Sequence, residues 1–287
     1  MPPTQIRLIR ADNPSPLTGT GTNTYLLGEG EVTLIDPGPD LASHLAAILA
    51  LTRAERITRI LVTHAHLDHS ALTPRLAAAT GAEVLAFGPA NSGRSATMQR
   101  LAAEGLASSE GADPGFVPDR TLSDGARLPL GAAEIEVLHL PGHMGCHLGF
   151  ALGDTLFSGD FVMNWSTSLV SPPDGDMGDY MASLRRLAAR RLAQMLPGHG
   201  PAVTDPAART AFLIRHRAAR EAAILAALRQ HGPATAATLA ALVYTDIAPH
   251  LLPAAAGNVL AHLIDLATRG LATTGESIRA ATLFQAR

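Results

Sequence analysis

Thr63-His64-Ala65-His66-Leu67-Asp68-His69 follows directly on the apolar run Ile60-Leu61-Val62. A short β-branched run bounded by polar residues reads as a buried strand, here spanning about 57–63. Four potential metal ligands therefore crowd the turn at its carboxyl end, where α/β sheets tend to place ligand sites. Imidazole and carboxylate together suit zinc. A polar turn with incidental histidines would bring four such groups together with nothing to satisfy them, which is costly.

Three further stretches put a donor at the end of a strand. Leu140-Pro141-Gly142-His143 and Leu196-Pro197-Gly198-His199 each project a histidine from a tight turn, and Phe157-Ser158-Gly159-Asp160 projects a carboxylate. Taken singly, each reads as an ordinary turn residue. With the first cluster they make seven donors, enough for two metals: His64, His66, Asp68, His69, His143, Asp160 and His199.

This set resembles the metallo-β-lactamase superfamily, whose signature is His-x-His-x-Asp-His followed by separate His, Asp and His ligands. The resemblance implies a four-layer αββα sandwich. It also implies one metal on His64, His66 and His143, another on Asp68, His69 and His199, and Asp160 bridging them. Two zinc ions with two carboxylates and a bridging hydroxide would leave the cluster near +1, a site that favours developing oxyanions. Asp68 is the implied catalytic residue, orienting the hydroxide and taking its proton. The histidines at 66 and 69 follow the hydrolytic pattern rather than the di-iron oxygen-reducing one. Seven ligands exceed the three of the mono-iron persulfide dioxygenases.

Other stretches resemble the β-lactamase-like protein 2 group: Gly21-Thr22-Asn23-Thr24-Tyr25-Leu26-Leu27, Pro172–Met177 with Tyr180, and His216-Arg217 with Arg220-Glu221. Asn258-Val259-Leu260-Ala261-His262-Leu263 resembles that group's winged-helix appendage. The group is associated with metal-dependent cleavage of single-stranded RNA, and bacterial relatives are often compared with hydroxyacylglutathione hydrolase. Its Pro-Gly-His-Thr-x-x-His stretch is here Pro141–His147, with Met144 in place of the threonine. Cys146 falls beside the ligands, where a small buried thiol is favoured over a catalytic one.

The rest of the chain fits two units. Strands and helices alternate to about residue 204, with residues 104–119 read as a surface loop. Asp205 and Pro206 then cap and start a long helix running to about Gln230. Shorter helices, Thr235–Tyr244 and Ala254–Arg269, and a hairpin over Leu271–Phe284 complete the pattern. Residues 1–204 are expected to form the catalytic α/β domain and residues 205–287 a small α-rich winged-helix-like domain.

Composition bounds the function. The 287 residues carry a net charge of −3, contain one cysteine and have no lysine, so all 22 basic side chains are arginine. A lysine nucleophile, a Schiff base and an intrachain disulfide are excluded. β-Lactamase activity is disfavoured too, because the resemblance implies a cation, often lysine, for the drug's carboxylate and arginine replaces lysine poorly. No apolar run reaches ~18 residues and no signal peptide opens the chain, so a cytoplasmic protein without a membrane partner is expected.

Nine arginines between 185 and 229 suggest either phosphate contacts or a solvated, paired helix face, and pairing is favoured. The candidate recognition helix 254–269 is poor in cations, so sequence-specific DNA binding is not expected and dimerisation or walling the cleft is preferred. His147, Asn164, Trp165 and Tyr180 are the candidate substrate contacts. The expected activity is hydrolysis of a small acyl compound (thioester, ester or lactone) with two zinc ions. Single-strand RNA cleavage is the alternative, and a persulfide dioxygenase or a non-catalytic binding protein stands further back.

Overall fold

The computed structural model describes residues 5–108 and 111–287. Its first half opens with β1 (Ile6–Arg10), β2 (Asn23–Leu27) and β3 (Glu31–Ile35), followed by α1 (Ala42–Leu51) and β4 (Arg56–Leu61). Then come α2 (Leu67–Ser70), α3 (Thr73–Thr80), β5 (Glu83–Ala86), α4 (Ala96–Ala103) and β6 (Arg120–Thr121). These strands form one sheet in sequence order, antiparallel from β1 to β3 and parallel from β3 to β6. The stretch read as loop, 104–119, of which 109 and 110 lie outside the described residues, is followed by the short edge strand β6.

A second sheet is built from β7 (Arg127–Leu130), β8 (Ala133–His139), β9 (Leu148–Leu152), β10 (Thr155–Gly159) and β11 (Gln194–Pro197), in the order β11-β10-β9-β8-β7. The helix α5 (Met177–Ala188) crosses from β10 to β11, which pair in parallel. A crossover helix is what parallel neighbours require.

Three cores account for the four layers. Leu27, Ile35, Leu61 and Leu85 of the first sheet meet Ile135, Val137, Phe150 and Phe157 of the second. The outer face of the first sheet packs Leu34, Ile60 and Val62 against Ile48 of α1 and Leu76 of α3. The outer face of the second packs Leu138, Ala151 and Leu156 against Tyr180 and Leu184 of α5. Strands buried on both faces read as continuous apolar runs, as Ile60-Leu61-Val62 at the end of β4 does.

The chain continues through α6 (Pro206–His231), α7 (Ala236–Val243), a 3-10 turn at Pro249–Leu251, α8 (Leu252–Thr268), β12 (Ala272–Thr273) and β13 (Gln285–Ala286). Asp205 caps α6, its side chain accepting from the Ala208 amide. Helix α6 belongs to two cores: Leu213 packs with α5, whereas Ile224 and Leu228 pack with α7 and α8. Met98 and Leu101 of α4 join that second core. The stretch Pro249–Thr268 is long and apolar enough to cross a membrane by composition, but half of it is buried against α6 and α7.

Candidate metal centre

Each donor stands just past the carboxyl end of a strand: His64 to His69 after β4, His143 after β8, Asp160 after β10 and His199 after β11. Within the first cluster, Leu67–Ser70 makes one helical turn where the linear sequence suggests only irregular chain. That turn carries Asp68 and His69 back toward His64 and His66.

The seven side chains converge. His64 Nε2 lies 3.0 Å from His66 Nδ1 and 3.3 Å from His143 Nε2, and His143 Nε2 lies 3.1 Å from His66 Nδ1. Beside them, His199 Nε2 lies 3.2 Å from His69 Nε2 and 3.1 Å from Asp68 Oδ2. Asp160 stands between the triads, its Oδ1 3.4 Å from His69 Nε2 and its Oδ2 3.9 Å from His143 Nε2. In each triad the donor atoms fall within 4.8 Å of one another.

The far nitrogens are held as well. His64 Nδ1 meets the Thr63 hydroxyl at 2.9 Å, His143 Nδ1 donates to the Leu169 carbonyl at 2.6 Å, and His69 Nδ1 meets Asp36 Oδ2 at 2.9 Å. Such contacts fix ring orientation and tautomer. Asp36 also accepts from the Thr63 amide and hydroxyl, at 2.7 and 2.8 Å. It sits at φ 53, the one non-glycine residue with positive φ among the described residues, a conformation that aspartate tolerates better than most. In the linear sequence Asp36-Pro37-Gly38 marks only the end of the first strands. An Asp-Pro-Gly turn after a buried strand is the available signal for its role.

The electrostatics fit cations. Burial, then neighbouring imidazoles, drive His64 well below its ordinary value. Burial and His143 bring His66 to about 3. These rings present lone pairs, as metal ligands must. Burial alone would lower His69, but Asp68, Asp160 and Asp36 outweigh it and raise it well above its usual range. Burial pushes Asp68 up, yet His69 and His199 outweigh it and hold it at about 2. Asp160 Oδ1 is buried without a hydrogen-bond partner. Five imidazoles and two carboxylates aimed at two points are a donor set for borderline divalent metals.

Residues 17–199 match the metallo-beta-lactamase superfamily, and residues 235–280 match the beta-lactamase associated winged helix domain. The chain belongs to the metallo-beta-lactamase superfamily. It is 32% identical over 270 residues to the Beta-lactamase-like protein 2 homolog of Drosophila melanogaster, covering 90% of this chain and 86% of that one. It is 30% identical over 225 residues to an Atrochrysone carboxyl ACP thioesterase of Aspergillus fumigatus, covering 76% of this chain and 62% of the relative's length.

Among solved structures, a metallo-beta-lactamase family protein from Thermus thermophilus superposes with a TM-score of 0.77 at 25% identity, covering 98% of both chains. A shorter chain crystallised in a di-iron-bound form matches at 33% identity and a TM-score of 0.53, covering 71% of this chain and 98% of that one. The chain is thus a hydrolase of this superfamily with His/Asp clusters that are candidate metal sites.

Above the cluster lies a cavity of about 290 Å³ lined by Asp68, His66, His143, Asp160 and His199 at its floor and by Pro16, Leu17, Leu67, Met163 and Leu169 on its walls, with the hydroxyl residues Ser15, Thr18, Ser166 and Thr167 beside them. The four residues expected to contact substrate are placed elsewhere. His147 is fully buried, stacked on His64 at 4.9 Å between ring centroids. Tyr180 is fully buried in the core beneath the His143 turn, its hydroxyl donating to the Phe161 carbonyl at 3.2 Å. Asn164 is exposed and donates to the Ala202 carbonyl at 3.0 Å. Trp165 is 42% exposed and lies against Gly19 and Gly200, off the cavity wall.

Proposed function

We propose that this chain hydrolyses a small acyl compound, a thioester, ester or lactone, at a centre of two zinc ions held by the seven His and Asp donors. The observation that carries this reading is the cavity wall. Leucine, methionine and proline side chains rise directly from the donor cluster, and no arginine lines the cavity among the described residues. An apolar, bounded pocket suits an acyl group, whereas a nucleic-acid strand requires a cationic groove.

Five of the nine arginines between 185 and 229 are engaged elsewhere. Arg190 pairs with Glu136 and Arg186 with Asp124. Arg209 donates to the Met163 and Ser166 carbonyls, Arg217 is buried, and Arg220 donates to the Val243 carbonyl. The thioesterase named among the relatives supports an acyl substrate.

Divalent cations at the two triads would supply Lewis acidity and make a nucleophile available near neutral pH. His64, His66 and His143 hold one position with neutral rings. Asp68 faces the cavity from the other triad, with 29% of its side chain exposed. It accepts a hydrogen bond from the attacking nucleophile and orients it toward the acyl carbon. Asp160 reaches both triads and fixes their separation. The apolar wall holds the acyl chain and excludes bulk water from the reacting carbonyl. We place the protein in the cytoplasm.

The test is a panel of thioesters, esters and lactones run beside labelled single-stranded RNA, with metal content measured on the same sample. Acyl turnover that disappears in Asp68→Asn, with intact RNA and two zinc ions per chain, is the expected result. RNA cleavage that disappears in Asp68→Asn overturns the acyl reading, and bound iron overturns the zinc assignment.

A further inference from the structure

A second cavity, of about 300 Å³, opens where α5, α6 and α8 meet. Arg185 of α5, Arg217 and Glu221 of α6, and His262, Asp265 and Arg269 around the end of α8 line it. It shares no lining residue with the cavity over the donor cluster.

Its charged groups divide into two sets. Arg269 is ion-paired with both Glu221 and Asp265, so those three largely satisfy one another. Arg185 and Arg217 have no carboxylate partner, and Arg185 makes no hydrogen bond or ion pair among the described residues. Arg217 is 1% exposed. It donates through Nη1 to Asn258 Oδ1 at 3.2 Å and through Nη2 to the Ser168 carbonyl, while its Nε has no partner.

His262 is also 1% exposed, and neither ring nitrogen has a partner. Buried polar groups are nearly always hydrogen-bonded, and exceptions call for an explanation. Burial, then Arg217 and Arg269, bring His262 down to about 3, so at neutral pH the ring is uncharged and carries one N–H. The residues lining the cavity thus include unpartnered polar groups: the buried Arg217 Nε–H, a neutral His262 ring with one N–H and one free lone pair, and the exposed Arg185 at the rim.

We propose that this cavity is a binding site for a small oxyanion, a phosphate group, taken by Arg217, His262 and Arg185 at the junction of the two domains. Arginine beside neutral donors is the usual way proteins hold phosphate oxygens. The volume admits inorganic phosphate or one phosphomonoester. The site also adjoins the metal centre through one segment. Arg217 holds the Ser168 carbonyl, Asn258 accepts from the Val170 amide at 2.9 Å, and the Leu169 carbonyl between them accepts from the ligand His143.

The experiment is calorimetric titration of the zinc-loaded full chain, in buffer free of oxyanions, with inorganic phosphate and with adenosine monophosphate. The histidine ring resonances are followed in parallel. Arg185→Ala removes an exposed, unpartnered side chain and leaves the fold intact; His262→Phe is the second variant. The site predicts at least tenfold weaker binding in each variant, and a His262 resonance that shifts on saturation with a raised apparent pKa. Preference for phosphate over the nucleotide identifies the free ion as the ligand source, and the reverse identifies a phosphomonoester. Unchanged affinity in both variants, or a His262 resonance that stays fixed at saturation, overturns the proposal and assigns any observed binding to the metal centre.

Discussion

The carboxylate of Asp36 and the imidazole of His69 meet at 2.9 Å, Oδ2 against Nδ1, with both side chains almost wholly buried. Asp36 belongs to the turn after β3 and His69 to the turn after β4, two parallel neighbours. The contact leaves His69 Nε2 facing Asp68, Asp160 and His199. Asp36→Ala removes that orientation, strands the Thr63 amide and leaves the Thr63 hydroxyl only its contact with His64. Metal affinity is expected to fall 10–100-fold, with a stability loss of about 1–3 kcal/mol in the metal-free protein. Chelator competition and urea unfolding measure the two effects, and wild-type metal affinity in the variant would show that packing alone orients His69.

Gly142 precedes the candidate ligand His143 at φ 143, and a Cβ there would stand 2.4 Å from the Tyr180 Cα. The obstacle is backbone at the start of α5, which cannot rotate aside. Gly142→Ala is expected to destabilise by roughly 2–4 kcal/mol, the range of strained or overpacked sites. It should also displace His143 from its triad. Metal stoichiometry and thermal midpoint test this together; a variant that retains full metal would mean α5 yields.

The buried His262 makes stability depend on pH. In the unfolded chain its pKa is near 6.5, whereas in the fold it is about 3. Above 6.5 the ring is neutral in both states and costs nothing. As pH falls from 6.5 toward 3, the unfolded state takes up the proton and the native state does not, so stability declines through that window. At pH 5 the loss is about 2 kcal/mol. Urea midpoints at pH 7.5 and pH 5, in oxyanion-free buffer, should differ accordingly, and the difference should shrink in His262→Phe. Equal pH dependence in the variant would assign the effect to other groups.

Cys146 is 2% exposed, and burial pushes its thiol up to about 11. The thiolate is the reactive form, so alkylation of the native protein at pH 8 is expected to be far slower than of the denatured protein. Reactivity should rise only as pH approaches 11. Rapid stoichiometric labelling of folded protein at pH 8 would contradict the buried, inert thiol.

Much of the centre is legible in the linear sequence because its ligands come in local groups whose chemistry is read by residue type. His64 to His69 lie within one turn, and the two Pro-Gly-His stretches announce projecting histidines. The cavity wall is not legible. Trp165 and Tyr180 attract notice as the aromatic residues near Asp160, yet one lies against glycines at the rim and the other fills the core under α5. Leu17 and Leu67, which do line the cavity, carry no signal for it in the linear sequence. Asp36 is visible as a turn residue, but its bond to a ligand on the neighbouring strand's turn is not.

The class of chemistry, the α/β sandwich and the winged-helix appendage can all be read from the linear chain. Apolar periodicity and donor types at fixed spacing, which are local properties, carry the alternating strands and helices and the donor cluster; the winged-helix appendage is what the family resemblance implies. Only the folded arrangement settles which nitrogen of each imidazole faces the centre, which side chains wall the cavity, and that Arg185, Arg217 and His262 meet in a second one. Those features depend on contacts between residues as far as 130 positions apart, brought together by sheet register and helix packing, and spacing along the chain does not encode such contacts.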